Sequence, residues 1–129
     1  MFSLNQIKAA HNKVKSGADF PAFIQDLIEL GVSHYETAVA DGHTIYFGAN
    51  QYRISTPAQY ETITVANAPD KSQFEIDLKA HQEGETDYAT FCYDAARSGI
   101  EKWTVFLDEM TCTYFDRSGN EILVEVIPG

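Results

Sequence analysis

The strongest constraint on the fold is a pattern that occurs twice along the chain. When residues 18–48 are laid over residues 86–116 without a gap, six positions are identical, whereas ordinary composition gives about two by chance. The same alignment superposes helix caps, glycine stops and hairpins. We therefore expect a tandem duplication of a helix–helix–three-strand unit, with pseudo-repeats at about 1–66 and 70–129. The identical pairs are Asp19/Asp87, Phe23/Phe91, Asp26/Asp94, Gly31/Gly99, Tyr46/Tyr114 and Phe47/Phe115.

Two helices are expected at the start of the first unit. Ser3 and Gln6 have the spacing of a capping box, and this helix should run to Ser16 and stop at Gly17. The second helix lies in DFPAFIQDLIELG. Asp19 can cap it, apolar residues recur along one side, and the final glycine marks its end.

The segment after the second helix predicts a β-hairpin. Residues 32–40 are rich in Tyr, Thr and Val, and Asp41–Gly42 is one of the strongest short hairpin signals. His43 follows directly, and an imidazole can act as a base or as a metal ligand. Because its counterpart in the second unit is Thr111, the duplicated architecture does not require an imidazole there. We interpret Asp41–Gly42–His43 as a turn.

The second unit repeats this plan after Asp70. SQFE, residues 72–75, has capping-box spacing for a helix that ends near Gly84. The next helix is capped by Thr86 or Asp87 and closed by Gly99. Residues 101–116 predict a hairpin, and residues 118–127 predict a turn with a third strand. YETITV, residues 60–65, is a candidate for an extra strand in the first unit.

These elements predict a single α+β domain over residues 1–129. The sheet would be antiparallel or mixed, with six or seven strands and with the helices packed on one face. A helix–helix–three-strand unit leaves an open sheet edge, which two units can remove by joining edge to edge or by packing face to face. At this length the chain buries about two thirds of the surface that its unfolded form exposes.

Alternation along the predicted strands separates a core face from a mixed face. Tyr35 and Trp103 are expected to face the helices, together with Tyr46, Tyr114 and Cys112. The opposite face mixes aromatic and polar side chains, as interfaces and grooves often do. The alternative is that the two units bury these residues against each other, or that the third strands and loops cover them. The mixed face would carry Ile45, Phe47, Phe106 and Phe115 beside His34, Glu36, His43 and Lys102.

The charge of the chain argues against two classes of partner. Nine Lys and Arg against 19 Asp and Glu give a formal charge of −10, which repels nucleic-acid phosphates and anionic lipid headgroups. The nearest basic cluster consists of Lys8, Lys13 and Lys15 and is weak. The two aligned acidic residues, Asp26 and Asp94, are expected on solvated faces of their helices. No stretch has the length of a membrane span, and the N-terminus lacks the features of a secretion signal. We expect no nucleic-acid partner, no membrane partner and a cytoplasmic location.

The sequence does not show the residue spacings that are typical of catalytic or metal sites. Cys92 and Cys112 lack CxxC or zinc-type spacing and are expected to be free core thiols. The four histidines show no HxH, HxxxH or HExxH spacing, and there is no GxSxG, P-loop or GxGxxG. His34 and Glu36 share one strand face, so an imidazole–carboxylate contact is a candidate. We predict no catalytic residues, no metal and no cofactor.

Four longer segments, taken together, are similar to a known family. They are QIKAAHNKVKSGADFPAFIQDL, YETAVADGHTIYFG, DLKAHQEGETDYATFC and MTCTYFDRSGNEILVEVIP, and they cover nearly the whole chain. They resemble the bacterial YbcV-like family, a domain-of-unknown-function family whose members are often labelled phage envelope protein or prophage-derived protein. The resemblance implies a small prophage-associated or enterobacterial-type protein of undetermined biochemical role, and it transfers no catalytic residues.

Two functions from different classes fit these observations. The first is a non-enzymatic module that binds a protein partner, or a second copy of itself, through the mixed face. The second is a small-molecule-binding protein or enzyme that uses a cleft between the two units. A structural role in a phage rests on the family labels alone. The candidate ligand- or partner-binding residues are His34, Glu36, His43, Phe47, Lys102 and Phe115.

Overall fold

Each half of the chain contains two helices followed by three strands. The computed structural model describes residues 2–14 and 19–127. The helices are α1 (Leu4–His11), α2 (Phe20–Leu30), α3 (Lys71–Gln82) and α4 (Tyr88–Arg97). The strands are β1 (Val32–Ala38), β2 (Thr44–Gly48), β3 (Arg53–Ser55), β4 (Ile100–Phe106), β5 (Thr111–Asp116) and β6 (Glu121–Val126).

All six strands form one antiparallel sheet in the order β3-β2-β1-β4-β5-β6. The two halves meet through β1 and β4, where Tyr35 lies opposite Val105 and Thr37 lies opposite Trp103. The sheet is therefore continuous across the boundary, and the halves join edge to edge. The predicted α+β class is confirmed, with an antiparallel sheet of six strands.

The core lies between the sheet and the helices, on the face that the alternation predicted. The Phe91 ring lies 5.7 Å from the Trp103 ring, and the Phe74 ring lies 4.8 Å from the Tyr114 ring. These contacts place α3 and α4 over the second half of the sheet. Residues from all four helices belong to the same buried cluster, among them Ile7, Phe23, Leu27, Phe74 and Phe91.

The first helix is shorter than the sequence predicted. Its capping box is present, because the Gln6 N–H donates to the Ser3 side chain and the Ser3 N–H donates to the Gln6 side chain. However, α1 ends at His11. The N–H of Val14 donates to the carbonyl three residues earlier, which is the tighter spacing that ends a helix. The expected end at Ser16 and Gly17 lies outside the described residues.

The third helix uses a different cap from the one that was predicted. Its N-cap is Asp70, whose carboxylate accepts from the Gln73 N–H at 3.1 Å, and Ser72 lies inside the first turn. A carboxylate both accepts this hydrogen bond and places negative charge at the positive end of the helix, so it is preferred over the hydroxyl. For α4 the cap is Asp87, which accepts from the Thr90 N–H at 2.8 Å.

The extra strand predicted at residues 60–65 does not form. The third strand of the first half is the three-residue β3 instead. The Tyr60 hydroxyl donates to the Val39 carbonyl and the Ile63 N–H donates to the Ala40 carbonyl, so this segment crosses the end of the first hairpin. Its strand-like alternation arises because Ile63 and Val65 pack on the core while their neighbours are exposed.

The connection between the halves then passes tightly against α4. The Ala66 N–H donates to the Ala96 carbonyl, and Gly99 adopts a φ of 80°. A Cβ at this glycine would lie 2.6 Å from the Ala68 carbonyl oxygen, so both the left-handed backbone and the close approach require glycine here. In residues 2–14 and 19–127, no helix combines the length and apolar character that a membrane crossing requires.

Candidate functional site

The face of the sheet opposite the helices is the candidate site, and we call it the open face. The register between neighbouring strands places one row of side chains across β2, β1, β4 and β5. At strand spacings of about 4.8 Å, the sheet presents an area of about 25 Å by about 20 Å. The open face carries Ile45, Phe47, His34, Glu36, Lys102, Thr104, Phe106 and Phe115.

His34 is the centre of a row of three rings on the open face. Its imidazole stacks on the Phe47 ring at 4.4 Å between centroids and with an interplanar angle of 5°. On the other side, the Phe106 ring lies 5.8 Å away at 22°. The row follows from the register, because His34 lies opposite Phe47 on β2 and opposite Phe106 on β4. All three side chains are partly exposed.

The orientation of His34 is fixed by Ser33. The Ser33 hydroxyl lies 3.1 Å from the Phe47 carbonyl oxygen and 2.9 Å from Nδ1 of His34. A carbonyl can only accept, so the one hydroxyl proton goes to Phe47 and Nδ1 must donate to Ser33. We infer that the neutral imidazole carries its proton on Nδ1. Its other nitrogen, Nε2, is then the acceptor that a ligand can use.

The second half of the open face carries an ion pair beside a ring. Nζ of Lys102 lies 2.5 Å from a carboxylate oxygen of Glu36 and 5.2 Å from the centroid of the Phe115 ring. The predicted contact between His34 and Glu36 is replaced by this pair, because the register places Lys102 opposite Ala38, diagonally next to Glu36. Lys102 keeps 40% of its side chain exposed, so its charge is available to a partner.

His43 is held by the hairpin turn. Its backbone N–H donates to the Asp41 carboxylate at 3.0 Å, and its Nδ1 lies 2.6 Å from the same oxygen. The hydrogen bond from the His43 backbone is the largest cause that lowers the pKa of Asp41, followed by the one from the His43 side chain. Gly42 has a φ of 76°, as the turn requires. These contacts make His43 part of the turn.

Five of the six predicted binding residues lie on the open face. The sixth, His43, belongs to the hairpin turn. Two further residues of the cluster were not among the six. Phe106 completes the row of rings, and the Ser33 hydroxyl orients the imidazole. Phe106 was already on the predicted mixed face, but its contact with His34 depends on the pairing of β1 with β4, which the sequence left open.

The two cysteines belong to the core. Cys92 is 1% exposed and Cys112 is 8% exposed. Burial raises the pKa of both thiols, to about 12 for Cys112. A thiol whose pKa is raised is a poor nucleophile, because the thiolate is the reactive form. Both side chains therefore act as small apolar groups, as the sequence predicted.

One pair of acidic residues is less solvated than expected. Asp94 keeps only 14% of its side chain exposed, and Asp77 on α3 keeps 12%. Burial raises the pKa of Asp94, and the nearby Asp77 charge raises it further. Arg97 lies 3.0 Å from Asp94 and 4.0 Å from Asp77. The prediction of a solvated helix face was wrong for Asp94, because α3 packs against α4 there.

The open face combines aromatic rings with polar and charged groups. Its groups are three phenylalanine rings, an oriented imidazole and a Lys–Glu pair. In the described ranges, no group of three or more His, Cys, Asp or Glu side chains could hold a metal ion. The sheet also runs through the boundary between the halves, so His34, Glu36 and Lys102 lie on its surface and do not line a cleft.

Comparison with known proteins gives a family without an assigned activity. Residues 8–126 match the family described as "Protein of unknown function (DUF1398)". The chain therefore belongs to this family. No curated protein matches the sequence.

Proposed function

We propose that this protein is a non-enzymatic interaction module, and that its open face binds a partner protein with a net positive charge and an apolar patch. The observation that carries the proposal is the row Phe47–His34–Phe106, partly exposed on a sheet face on which no described helix packs. Aromatic side chains that a partner can cover are among the groups that dominate binding energies at protein interfaces.

The size of the open face fits one side of a protein interface. Its area of about 500 Å², from the strand spacing and length, is on the scale of the ~800 Å² that each partner contributes to a standard interface. The rings would form the apolar centre of this interface. Glu36, Lys102 and the exposed Arg53 on β3 would lie between the rings and the rim.

Charge favours a basic partner over a second copy. The chain carries −10, so two copies repel each other over long distances, while a cationic protein is attracted and its association is accelerated. The open face itself is close to neutral, since Arg53 and Lys102 balance Glu36 and Glu121. A partner would therefore meet the rings with its apolar patch and the acidic surroundings with its Lys and Arg residues.

The resemblance to the YbcV-like family bears on the source of the partner. The proposal places the protein in the cytoplasm and takes the partner to be encoded by the same prophage or by its bacterial host. The family labels support this setting, and the buried thiols are compatible with a reducing compartment. The label of phage envelope protein would then describe association with a phage protein.

Photo-crosslinking in cells tests the proposal. A photoreactive phenylalanine analogue is placed at Phe106 on the open face and, as a matched control, at Tyr93 on the exposed side of α4. We expect a crosslinked adduct with one basic protein from Phe106, and no such adduct from Tyr93. Adding His34→Ala should lower the yield of the crosslinked adduct at least fivefold, because the stack that orders the rings is lost.

Three results would contradict the proposal. One is the absence of any protein adduct from Phe106, and another is the same adduct from both positions. The third is an adduct with twice the mass of the chain, which would identify a second copy as the occupant of the open face.

A further inference from the structure

We propose that the free edge of β6 is a second binding site, separate from the open face, which accepts an extended basic segment of a partner protein as an added antiparallel strand. β6 is the last strand in the sheet order, and no strand in residues 2–14 or 19–127 lies on its outer side. With six residues, it is twice as long as β3, the three-residue strand at the other edge.

The hydrogen-bonding pattern identifies which backbone groups of β6 point outward. The Ile127 N–H donates to the Met110 carbonyl at 2.7 Å, just beyond the β5–β6 ladder. In an antiparallel ladder the bonded positions alternate, so Leu123 and Glu125 direct their backbone groups toward β5. Val124 and Val126 then direct theirs toward the free edge. Two N–H groups and two carbonyls are therefore in place to bind another strand.

The side chains along this edge are unusually exposed for apolar residues. Val124 is 51% exposed and Val126 is 79% exposed, and both lie on the same side of the sheet as the open face. An added strand would cover them with the residues that lie opposite. Exposed β-branched residues on an edge strand favour such pairing.

A groove on the helix side of the same edge would hold the other side chains of an added strand. It lies between α3 and β6 and has a volume of about 340 Å³. Residues opposite Leu123 and Glu125 would point into it, because side chains alternate along a strand. Its lining residues are Glu75, Leu78, Lys79, Gln82, Leu123 and Glu125.

The charges of the groove select a basic segment. Glu125 accepts hydrogen bonds from Gln82 at 3.1 and 3.2 Å and from the Tyr114 hydroxyl at 3.3 Å, all of which are neutral donors. Glu125 and Glu75 outnumber the single cation of the lining, Lys79. A lysine opposite Glu125 and a leucine opposite Leu123 would match this pattern. The complementary segment therefore alternates Val with Lys and Leu.

A second copy of the chain fits this edge less well. Two β6 strands would bring together two edges that each carry Glu121 and Glu125, in two molecules of charge −10. Acidic residues on an edge are a common protection against pairing of identical strands. The same residues attract a basic strand, so we commit to a partner segment as the occupant.

A synthetic peptide tests the edge directly. The probe is a fluorescent peptide in which Val, Lys, Val and Leu follow one another between polar flanks, so that they lie opposite Val126, Glu125, Val124 and Leu123. Two N-methylated versions serve as a matched pair. Methyl groups on the two Val nitrogens block the N–H groups that face β6, while methyl groups on the Lys and Leu nitrogens block those that face away. We expect at least a tenfold larger Kd, by fluorescence anisotropy, for the first version only.

Variants of the protein provide the second arm of the test. Val124→Pro removes an outward N–H without removing a bond to β5, so the sheet should persist. We expect it to raise the peptide Kd at least tenfold, with Val124→Thr as the control that keeps the N–H and the β-branched shape. Glu125→Gln should raise the Kd for this peptide about threefold or more and reduce its dependence on salt.

The results separate this site from the open face. Phe106→Thr should leave the peptide Kd unchanged, whereas it would weaken binding if the peptide bound the aromatic rings. Equal affinities of the two N-methylated peptides would overturn the proposal, as would a Val124→Pro protein that is folded by circular dichroism and binds normally. A peptide that binds none of the folded proteins would also overturn it, and a β6-dependent dimer in sedimentation would identify a second copy as the occupant.

Discussion

Two aromatic residues of β4 lie three positions apart and face opposite sides of the sheet. This difference decides whether each side chain contributes to stability or to the exposed surface. Trp103 packs among the Phe91 and Tyr114 rings in the core, and its side chain is 7% exposed. Three positions later, Phe106 lies on the open face, where its ring stacks on the His34 imidazole at one end of the aromatic row. The first residue therefore serves stability, and the second is available for binding.

Substitutions at these two positions should separate stability from binding. Trp103→Ala should lower the free energy of unfolding by about 3–5 kcal/mol, because it opens a large cavity in the core. Phe106→Thr should lower it by about 1 kcal/mol or less, since threonine suits a strand and the lost ring was partly exposed. Urea denaturation measures both values. Equal losses would show that the open face is part of the core.

The turn before β6 contains a carboxylate whose ionised form is stabilised. Asp116 accepts from the Asn120 backbone N–H at 2.8 Å, from the Asn120 side chain at 3.1 Å and from the Ser118 N–H at 3.0 Å. The backbone hydrogen bond from Asn120 is the largest of the causes that lower its pKa. A lowered folded-state pKa means that the stabilisation is present above the unfolded value of about 3.9, and is lost as the pH falls through the folded value.

Asp116→Asn should therefore have a pH-dependent effect. At pH 7 we expect a lower melting temperature, because asparagine lacks the charge and one of the acceptor oxygens. The difference from the unmodified protein should begin to shrink as the pH falls below the unfolded value of about 3.9, and it should disappear once the pH is below the lowered folded-state pKa of Asp116. Thermal melts followed by circular dichroism from about pH 7 to about pH 2 measure this. A difference that is constant with pH would mean that ionisation of Asp116 contributes nothing.

At the scale of elements, helix ends show how overlapping signals are resolved. The capping-box spacing favoured Ser72 as the N-cap of α3, whereas the structure uses Asp70. Both residues precede the same apolar pattern. The carboxylate charge favours Asp70 at the positive end of the helix, and the Asp70 N–H is held at the end of the preceding loop by the Ser98 carbonyl at 2.9 Å.

Replacing each candidate cap tests this assignment. Asp70→Ala should lower the free energy of unfolding by about 1 kcal/mol, because it removes the acceptor for the Gln73 N–H. Ser72→Ala should change it by less than about 0.5 kcal/mol, since alanine is the best helix former at an exposed position in the first turn. Chemical denaturation of the two variants provides the comparison. A larger loss of unfolding free energy for Ser72→Ala than for Asp70→Ala would show that Ser72 is the N-cap, as the sequence favoured.

Local signals predicted the elements well where caps, glycines and alternation agreed. The hairpin at Asp41–Gly42, the end of α2 at Gly31 and the core positions of Tyr35 and Trp103 are confirmed. The errors lie where tertiary contacts decide. Residues 60–65 resemble a strand because Ile63 and Val65 pack on the core on either side of the exposed Thr64, but the backbone hydrogen bonds of Tyr60 and Ile63 go to the first hairpin turn.

The candidate site was predictable to the level of a face but not to the level of contacts. Alternation alone places His34, Glu36, Phe47, Lys102 and Phe115 on one side of the sheet. Which of them touch depends on the register of β1 against β4, and no turn connects these strands to fix it. The sequence therefore suggested a contact of His34 with Glu36, where the structure pairs Glu36 with Lys102.

At the scale of the whole molecule, residues that are aligned between the two halves occupy related places in the sheet. Glu36 lies opposite Thr104 in the sheet, and these two residues also occupy the same position in the alignment of the halves. Gly42 and Met110, which are aligned as well, both have positive φ values, of 76° and 53°. We infer that β1 and β4 pair around an approximate two-fold axis. This arrangement gives one continuous sheet with helices on one face.

The same arrangement determines which surfaces stay uncovered. The described helices lie on one face of the sheet, and joining the halves through β1 and β4 removes two of four edges. The remaining edges are β3, which is short, and β6, which is long and exposed. The open face and the β6 edge are adjacent, because Val124 and Val126 lie on the same side of the sheet as the open face.

The central claim, that the open face is occupied by a partner, can be measured by thiol labelling. Ala38→Cys places a thiol on this face at the end of β1, opposite Lys102, while the native Cys92 and Cys112 are buried and hardly react. Ser72→Cys, on the exposed surface of α3, is the control. We expect a maleimide to label both variants rapidly in the purified protein, and to label Ala38→Cys at least tenfold more slowly inside cells that express the partner. If the two variants keep the same relative labelling rate in both settings, the open face is not a binding surface.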